Sequence, residues 1–279
     1  MLVASFLFAC MGVCVKLAAD QFSTAEIVFY RNLISLILIS VLIAVRGIPL
    51  RTPHWKFQLR RGGSGFISLC LYFLGITLLP LATAVTLAYT SPLFLALYLA
   101  AFGKARLNAG VIVALGVGFA GVALLLRPSL ETAQWLGILV SLASGMLAGV
   151  AYFNVRELGE RGEPEERTVF YFSLLATLGS CLWLFFSEIH PIDQRGGLLL
   201  LGVGGFGTLA QLAMTRAYKR GKTLVAASLA YSAVIFASLF GMLIWKETLS
   251  LEAWLAIGLI VASGVLANAF SKDRSPGNE

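Results

Sequence analysis

Residues 80–125 recur as residues 222–267 at a constant shift of 142 with no gap, and this repeat limits the fold more than any other feature of the chain. Tyr89, Phe94, Lys104, Leu107 and Gly116 fall on Tyr231, Phe236, Lys246, Leu249 and Gly258. Leu and Ala coincide easily in an apolar chain, but Tyr, Phe, Lys and Gly in one register do not. Val28-Phe29-Tyr30 likewise falls on Val169-Phe170-Tyr171, at a shift of 141. The chain reads as two copies of one unit, 1–130 and 131–271, followed by a polar tail at 272–279.

What the unit is follows from composition. Hydrophobic residues make up 58% of the chain and charged residues 13%, against roughly 25% charged in a soluble globular protein. A bilayer core takes about 20 apolar residues per helix. Ten runs approach that length: 2–19, 25–45, 62–79, 82–102, 108–126, 135–155, 168–187, 197–217, 224–245 and 252–270. They are too long and too evenly apolar for strands. The expected fold is all-α, a polytopic membrane protein of ten transmembrane helices. The N-terminus lacks the basic region of a signal peptide and reads as the first span.

Counting Lys and Arg loop by loop gives an orientation. One side collects Arg46, Arg51, Lys56, Arg60 and Arg61, Lys104 and Arg106, Arg156, Arg161 and Arg167, Arg216 to Lys222, and Lys272 and Arg274. The other holds only Lys16, Arg127, Arg195 and Lys246. The basic side is expected in the cytoplasm of a bacterial-type inner membrane, together with both termini. The net charge of +7 is accounted for in this way, and no basic-aromatic motif points to nucleic acid. Five spans per unit is an odd number, so the two units enter the membrane from opposite sides. Such inverted repeats typify secondary transporters, whose substrates bind near the midplane between the repeats.

The motifs agree. Phe29-Tyr30-Arg31-Asn32 in span 2, Thr90-Ser91-Pro92-Leu93-Phe94 in span 4, glycine-rich spans 5 and 10, and Trp245-Lys246-Glu247-Thr248-Leu249 before span 10 resemble the EamA-type branch of the drug/metabolite transporter superfamily. The resemblance covers essentially the whole chain. It implies transport of a small organic metabolite through a cavity lined by spans 1–4 and 6–9, with spans 5 and 10 peripheral. The family often carries Glu before the last helix of each half. Glu247 keeps it, whereas the first half has Ala105.

Several residues are candidates for substrate binding. Arg31 lies inside span 2, where a guanidinium either meets an anionic substrate or is structural, snorkelling outward or paired with Glu26. Asn32 and Ser35 share its flank. Ser141, Ser144, Gly145, Ala148 and Tyr152 form a stripe on span 6, with Asn154 beside it, that suits helix packing or a cavity wall. Tyr72 in span 3 and Gln211 in span 8 are further polar groups. Thr86 and Tyr89 in span 4 repeat as Ser228 and Tyr231 in span 9, and the two faces are expected to meet across the centre. Gly116/Ala120 and Gly258/Ala262 read as packing pairs.

Other chemistries find little support. The G-x-G-x-x-G string at Gly202–Gly207 lies in an apolar span without the βαβ context of a dinucleotide site. Gly62-Gly63-Ser64-Gly65 resembles the serine motif of intramembrane proteases, yet no span holds a histidine base. Cys10, Cys14, Cys70 and Cys181 read as small core residues. No catalytic residue, metal or cofactor is expected. The expected partners are a small-molecule substrate and the lipid bilayer, for a monomer or homodimer. The expected activity is that of a secondary transporter or facilitator working by alternating access. A membrane scaffold or receptor leaves the inverted repeat unexplained, and an intramembrane enzyme lacks a catalytic pair.

Overall fold

The computed structural model describes residues 1–79, 81–102, 109–126, 135–246 and 250–272. The tail from 273 onward, Ala105 and Glu247 lie outside them. Every regular element among these residues is helical. In order they are α1 (Leu2–Ala18), α2 (Thr24–Arg46), α3 (Trp55–Leu78), α4 (Leu81–Ala88), α5 (Ser91–Ala101), α6 (Ala109–Leu126), α7 (Trp135–Glu160), α8 (Glu165–Leu184), α9 (Gln194–Arg220), α10 (Thr223–Ala230), α11 (Ser232–Trp245) and α12 (Leu251–Lys272). Thr24–Arg46, Trp135–Glu160, Glu165–Leu184, Gln194–Arg220 and Thr223–Ile244 are long and apolar enough to cross a membrane, and Leu2–Ala18, Ser91–Ala101, Ala109–Leu124 and Leu251–Ala267 are shorter apolar helices. Leu182, Phe185, Phe186, Leu243 and Val45 stand exposed on outer faces, which suits lipid and not water.

Twelve segments make ten spans because spans 4 and 9 are each broken once. Pro92 removes one donor from the first break, since its ring nitrogen carries no hydrogen. A second device is common to both. The Thr90 hydroxyl donates to the Leu87 carbonyl at 2.6 Å, and the Ser232 hydroxyl donates to the Leu229 carbonyl at 2.7 Å. A side chain thus takes up a carbonyl three residues back, and the regular ladder is interrupted at Tyr89-Thr90 and at Tyr231.

Helix ends are specified locally. Ser23 and Glu26 form a capping box on α2, and Asp193 accepts from the Gly196 N–H at the start of α9, which holds its carboxyl below the usual range. Gly47 (φ 63) and Gly162 (φ 73) take the left-handed conformation that closes α2 and α7. At Gly162 the two closing bonds are Glu163 N–H to Leu158 O at 3.1 Å and Gly162 N–H to Gly159 O at 3.0 Å.

Helices 2, 3, 8 and 9 form the central contacts. α2 packs on α8 and α9, α3 packs on α7 and α8, and α1 packs on α9 and α11. The repeat relates these contacts in pairs. A methyl built on Gly62 of α3 would lie 2.3 Å from Leu175 Cδ1 on α8, and one built on Gly204 of α9 would lie 2.4 Å from Ile34 Cγ2 on α2. Gly65 approaches Phe172 as Gly207 approaches Arg31. The two glycine strings that mimic enzyme motifs are therefore the same close-approach device used once per half.

Each end of the bundle is also fastened by corresponding contacts of opposite polarity. At one end the Glu26 carboxylate, fully buried, accepts from the His190 N–H at 2.7 Å and meets His190 Nδ1 at 2.9 Å. At the basic end, the corresponding Arg167 donates from Nε to the Pro49 carbonyl at 2.8 Å. Around Arg167 lies an ion-pair plate. Glu163 accepts from Arg167 Nη1 at 2.9 Å, from Gln58 Nε2 at 3.3 Å and from the Thr52 hydroxyl. Glu165 meets Arg216, Lys219 and Arg220, each at 3.3 Å, and Glu166 meets Arg46.

Three sequence expectations are corrected. Gly116 and Gly258 face no described atom within 4 Å, so they are not the packing pair of α6 and α12. The packed face is rotated onto Gly121, where an added methyl would lie 2.9 Å from Ile260 Cγ1 and 3.0 Å from the Ala256 carbonyl. Gly121→Leu is accordingly expected to cost about 1–3 kcal/mol of stability. Gly116→Leu is expected to be neutral, and melting of the detergent-solubilised protein compares the two. Equal losses at both positions would overturn this assignment. Cys181 is exposed and Cys10, Cys14 and Cys70 are half-buried, so none is a fully buried core residue. Finally, α3 begins at Trp55, so Arg60 and Arg61 belong to a helix and not to a loop.

Candidate substrate site

Arg31 lies seven residues into α2, about 10 Å from its first residue, Thr24, at 1.5 Å per residue. Its Nη1 donates to Asn32 Oδ1 at 3.0 Å, and its Nε approaches Met11 Sδ at 3.4 Å. Asn32 is itself held by Nδ2 donating to the Val28 carbonyl at 2.8 Å. The absent side chain of Gly207 leaves room for the arginine stem, with Nε 3.3 Å from where a methyl would stand. Glu26 is committed to Ser23 and His190, so it does not pair with Arg31. Among the described residues no carboxylate pairs with this guanidinium.

A second guanidinium escapes the sequence reading. Arg61 is 3% exposed, lies 4.4 Å over the Phe172 ring, and has a buried Nε with no hydrogen-bond partner. Arg31 and Tyr152 lie near it. Position 61 adjoins a basic loop, and only the glycine string behind it hints that the residue enters the bundle.

Tyrosines cluster where the two halves meet. Tyr89 and Tyr231 sit at the corresponding helix breaks, with ring centroids 6.1 Å apart and planes tilted by 45°. Tyr152 stacks on Tyr218 at 5.0 Å. Tyr72 and Tyr152 lie near Tyr89. Tyr231 is fully buried against α6 at Gly118, while Tyr72, Tyr89 and Tyr152 are half-buried. On α9, Gln211, Thr215 and Tyr218 follow at one-turn spacing, and their Nε2, Oγ1 and Oη atoms are buried without partners. Gln211 thus joins a polar stripe with two residues that the sequence did not single out.

Two further candidates bond within the bundle. The Asn154 amide donates to the Val150 carbonyl of its own helix at 2.8 Å, and the Ser228 hydroxyl meets the Ser263 hydroxyl on α12 at 2.6 Å. The Thr86 side chain lies outside the described residues. The span 6 stripe packs: Ser144 and Ser68 exchange hydroxyl-to-carbonyl bonds of 2.8 Å, and Gly145 abuts Thr90.

A polar centre of this kind inside an inverted helical repeat belongs to transporters, and comparison with known proteins decides the matter. The model of the EamA-like transporter family matches residues 1–127 and 135–269. The chain belongs to the EamA-like transporter family. A pseudopaline exporter of Pseudomonas aeruginosa (strain UCBPP-PA14) is 32% identical over 264 residues, which cover 95% of this chain and 90% of that one. A riboflavin transporter of Brucella anthropi is 22% identical over 272 residues, covering 95% of each chain. An uncharacterized transporter of Helicobacter pylori (strain 26695) is 28% identical over 278 residues, covering 95% of this chain and 92% of that one. A crystal structure at 21% identity superposes with a TM-score of 0.86 over 96% of each chain, so this transporter shares that fold.

Proposed function

We propose that this transporter carries a small organic metabolite across the inner membrane by alternating access, as a secondary carrier or facilitator and not as an enzyme. Arg31 is its principal substrate ligand. The observation that carries this reading is a guanidinium well inside a span whose nearest polar partners are neutral. A charge at that depth is costly, faces a bundle interior and marks a substrate path. The planar guanidinium fork matches a carboxylate or another anionic group. Tyr89, Tyr152, Tyr72 and Gln211 supply ring faces and hydrogen bonds around it. The halves 1–130 and 131–271 move against one another, and the fastenings at the two ends open in turn.

The relatives widen the range of substrates to test. Substrate-dependent counterflow in proteoliposomes, with a panel of amino acids, nucleosides, S-adenosylmethionine, flavins and pseudopaline, should identify one class that exchanges. A scaffold or receptor would give no counterflow with any of them. Both termini and the basic end are placed in the cytoplasm. Single cysteines at Arg51 and Asp193, both exposed positions in the structure, should then label from opposite sides in a background lacking the native cysteines. Labelling of both from one side would refute this arrangement.

A further inference from the structure

We infer that Arg31 and Arg61 form one two-cation site for an elongated organic acid with two separated carboxylates. This inference rests on the reading of Arg31 as a substrate ligand and adds the class of substrate. It begins with the repeat. Phe172 stands where the second half would carry the counterpart of Arg31. Arg31 lies against Gly207, and the corresponding well at Gly65 is filled by the Phe172 ring and by Arg61 Nη1, 2.4 Å from where a methyl on Gly65 would stand. The bundle thus presents a guanidinium at each of two related positions, one from α2 and one from α3.

Neither cation is neutralised by protein. Among the described residues, Arg31 has Asn32 Oδ1 and Met11 Sδ as partners, and Arg61 has an aromatic face and an orphaned Nε. Arg61 is buried and Arg31 half-buried inside the bundle; like charges there disfavour each other and lack the anion that would offset their desolvation. One monocarboxylate satisfies only one of them.

The spacing selects the second group. Ser35 on α2 and Ser173 on α8 share a 3.0 Å hydrogen bond and mark a common level. Arg31 lies four residues from Ser35 toward the Glu26 end. Phe172, under Arg61, lies one residue from Ser173 toward the basic end, because α8 runs antiparallel to α2. At 1.5 Å per residue the two positions differ by about 8 Å along the bundle. That suits carboxylates at the two ends of a short chain and exceeds the reach of one phosphate group. Gln211, one turn along α9 from Gly207, offers its unpartnered Nε2 to a polar group between them.

The test measures binding to the purified full-length protein by tryptophan fluorescence. The probes are α,ω-dicarboxylates from butanedioate to octanedioate, hexanoate as a one-carboxylate control, and inorganic phosphate. The best dicarboxylate should bind about ten-fold tighter than hexanoate or more, as a second charge-assisted contact implies. Arg61→Gln should erase that advantage, bringing the best dicarboxylate within about two-fold of hexanoate. Arg61→Lys keeps the charge and the apolar stem over Phe172, so it should fold as the parent does and give an intermediate advantage. Arg31→Gln should weaken both probes. If Arg61→Gln and Arg61→Lys retain the full advantage while Arg31→Gln loses binding, the two-cation site is overturned and the Arg31 reading stands. If neither position matters, both readings fall. Phosphate binding as tight as the best dicarboxylate, or no dicarboxylate surpassing hexanoate, also overturns the inference.

Discussion

Arg31→Gln is expected to abolish counterflow while leaving the protein inserted and stable. Truncating one partner of a buried, hydrogen-bonded charge contact costs about 2–5 kcal/mol, so the loss should be about 30-fold or more. Glutamine keeps most of the stem that packs beside Gly207 and Met11 and can still bond Asn32 Oδ1, which is why the fold should survive. Arg31→Lys should restore only part of the activity, because an ammonium is a point charge without the planar fork. Size-exclusion profiles and counterflow rates, measured together, separate loss of transport from loss of protein. Normal counterflow in Arg31→Gln would reduce the arginine to a packing residue.

Glu163→Ala should produce the largest loss of stability. Glu163 is 3% exposed and gathers Arg167, Gln58 and Thr52 from three parts of the chain. Its removal leaves the buried Arg167 guanidinium with the Pro49 carbonyl as its remaining acceptor. Breaking a buried pair on one side costs about 3–5 kcal/mol, chiefly through the uncompensated charge that remains. For a chain of this size that corresponds to a fall in Tm of the order of 10 °C. Arg167→Leu in the Glu163→Ala background should recover much of the loss, because the orphaned charge is then gone. A double variant no more stable than Glu163→Ala would show that the loss comes from the contacts to Gln58 and Thr52 instead.

The all-helical fold and its ten spans were legible because apolar length and odd repeat parity are properties of the sequence itself. The facing of Tyr89 and Tyr231 was legible for the same reason, since corresponding residues near a two-fold axis must approach one another. Arg61 was not. A hydropathy profile cannot tell a charge at the end of a span from a charge in the loop before it, and only the extension of α3 back to Trp55 settles the difference. The packed face of α6 was also hidden, because Gly116, Gly118 and Gly121 are equally small and only the neighbouring helix α12 distinguishes them. Ser228 shows a third limit. Its spacing from Tyr231 put both on one stripe, yet that stripe is wide enough for the tyrosine to meet Tyr89 while the serine turns to Ser263.

Phe172 also bears on how such a chain could have arisen from a duplicated half. Two identical copies of the first half, assembled as an antiparallel dimer, would put Arg61 of each copy beside Arg31 of the other. Four guanidiniums would then crowd two wells. With phenylalanine in one of those places, the like charges become a cation over a ring at 4.4 Å, a favourable contact in a desolvated setting. The exchange is open only once the two copies can change independently, as the halves of one chain can. Both cations come from the first half and the ring from the second, so neither half on its own can rebuild the centre by pairing with itself.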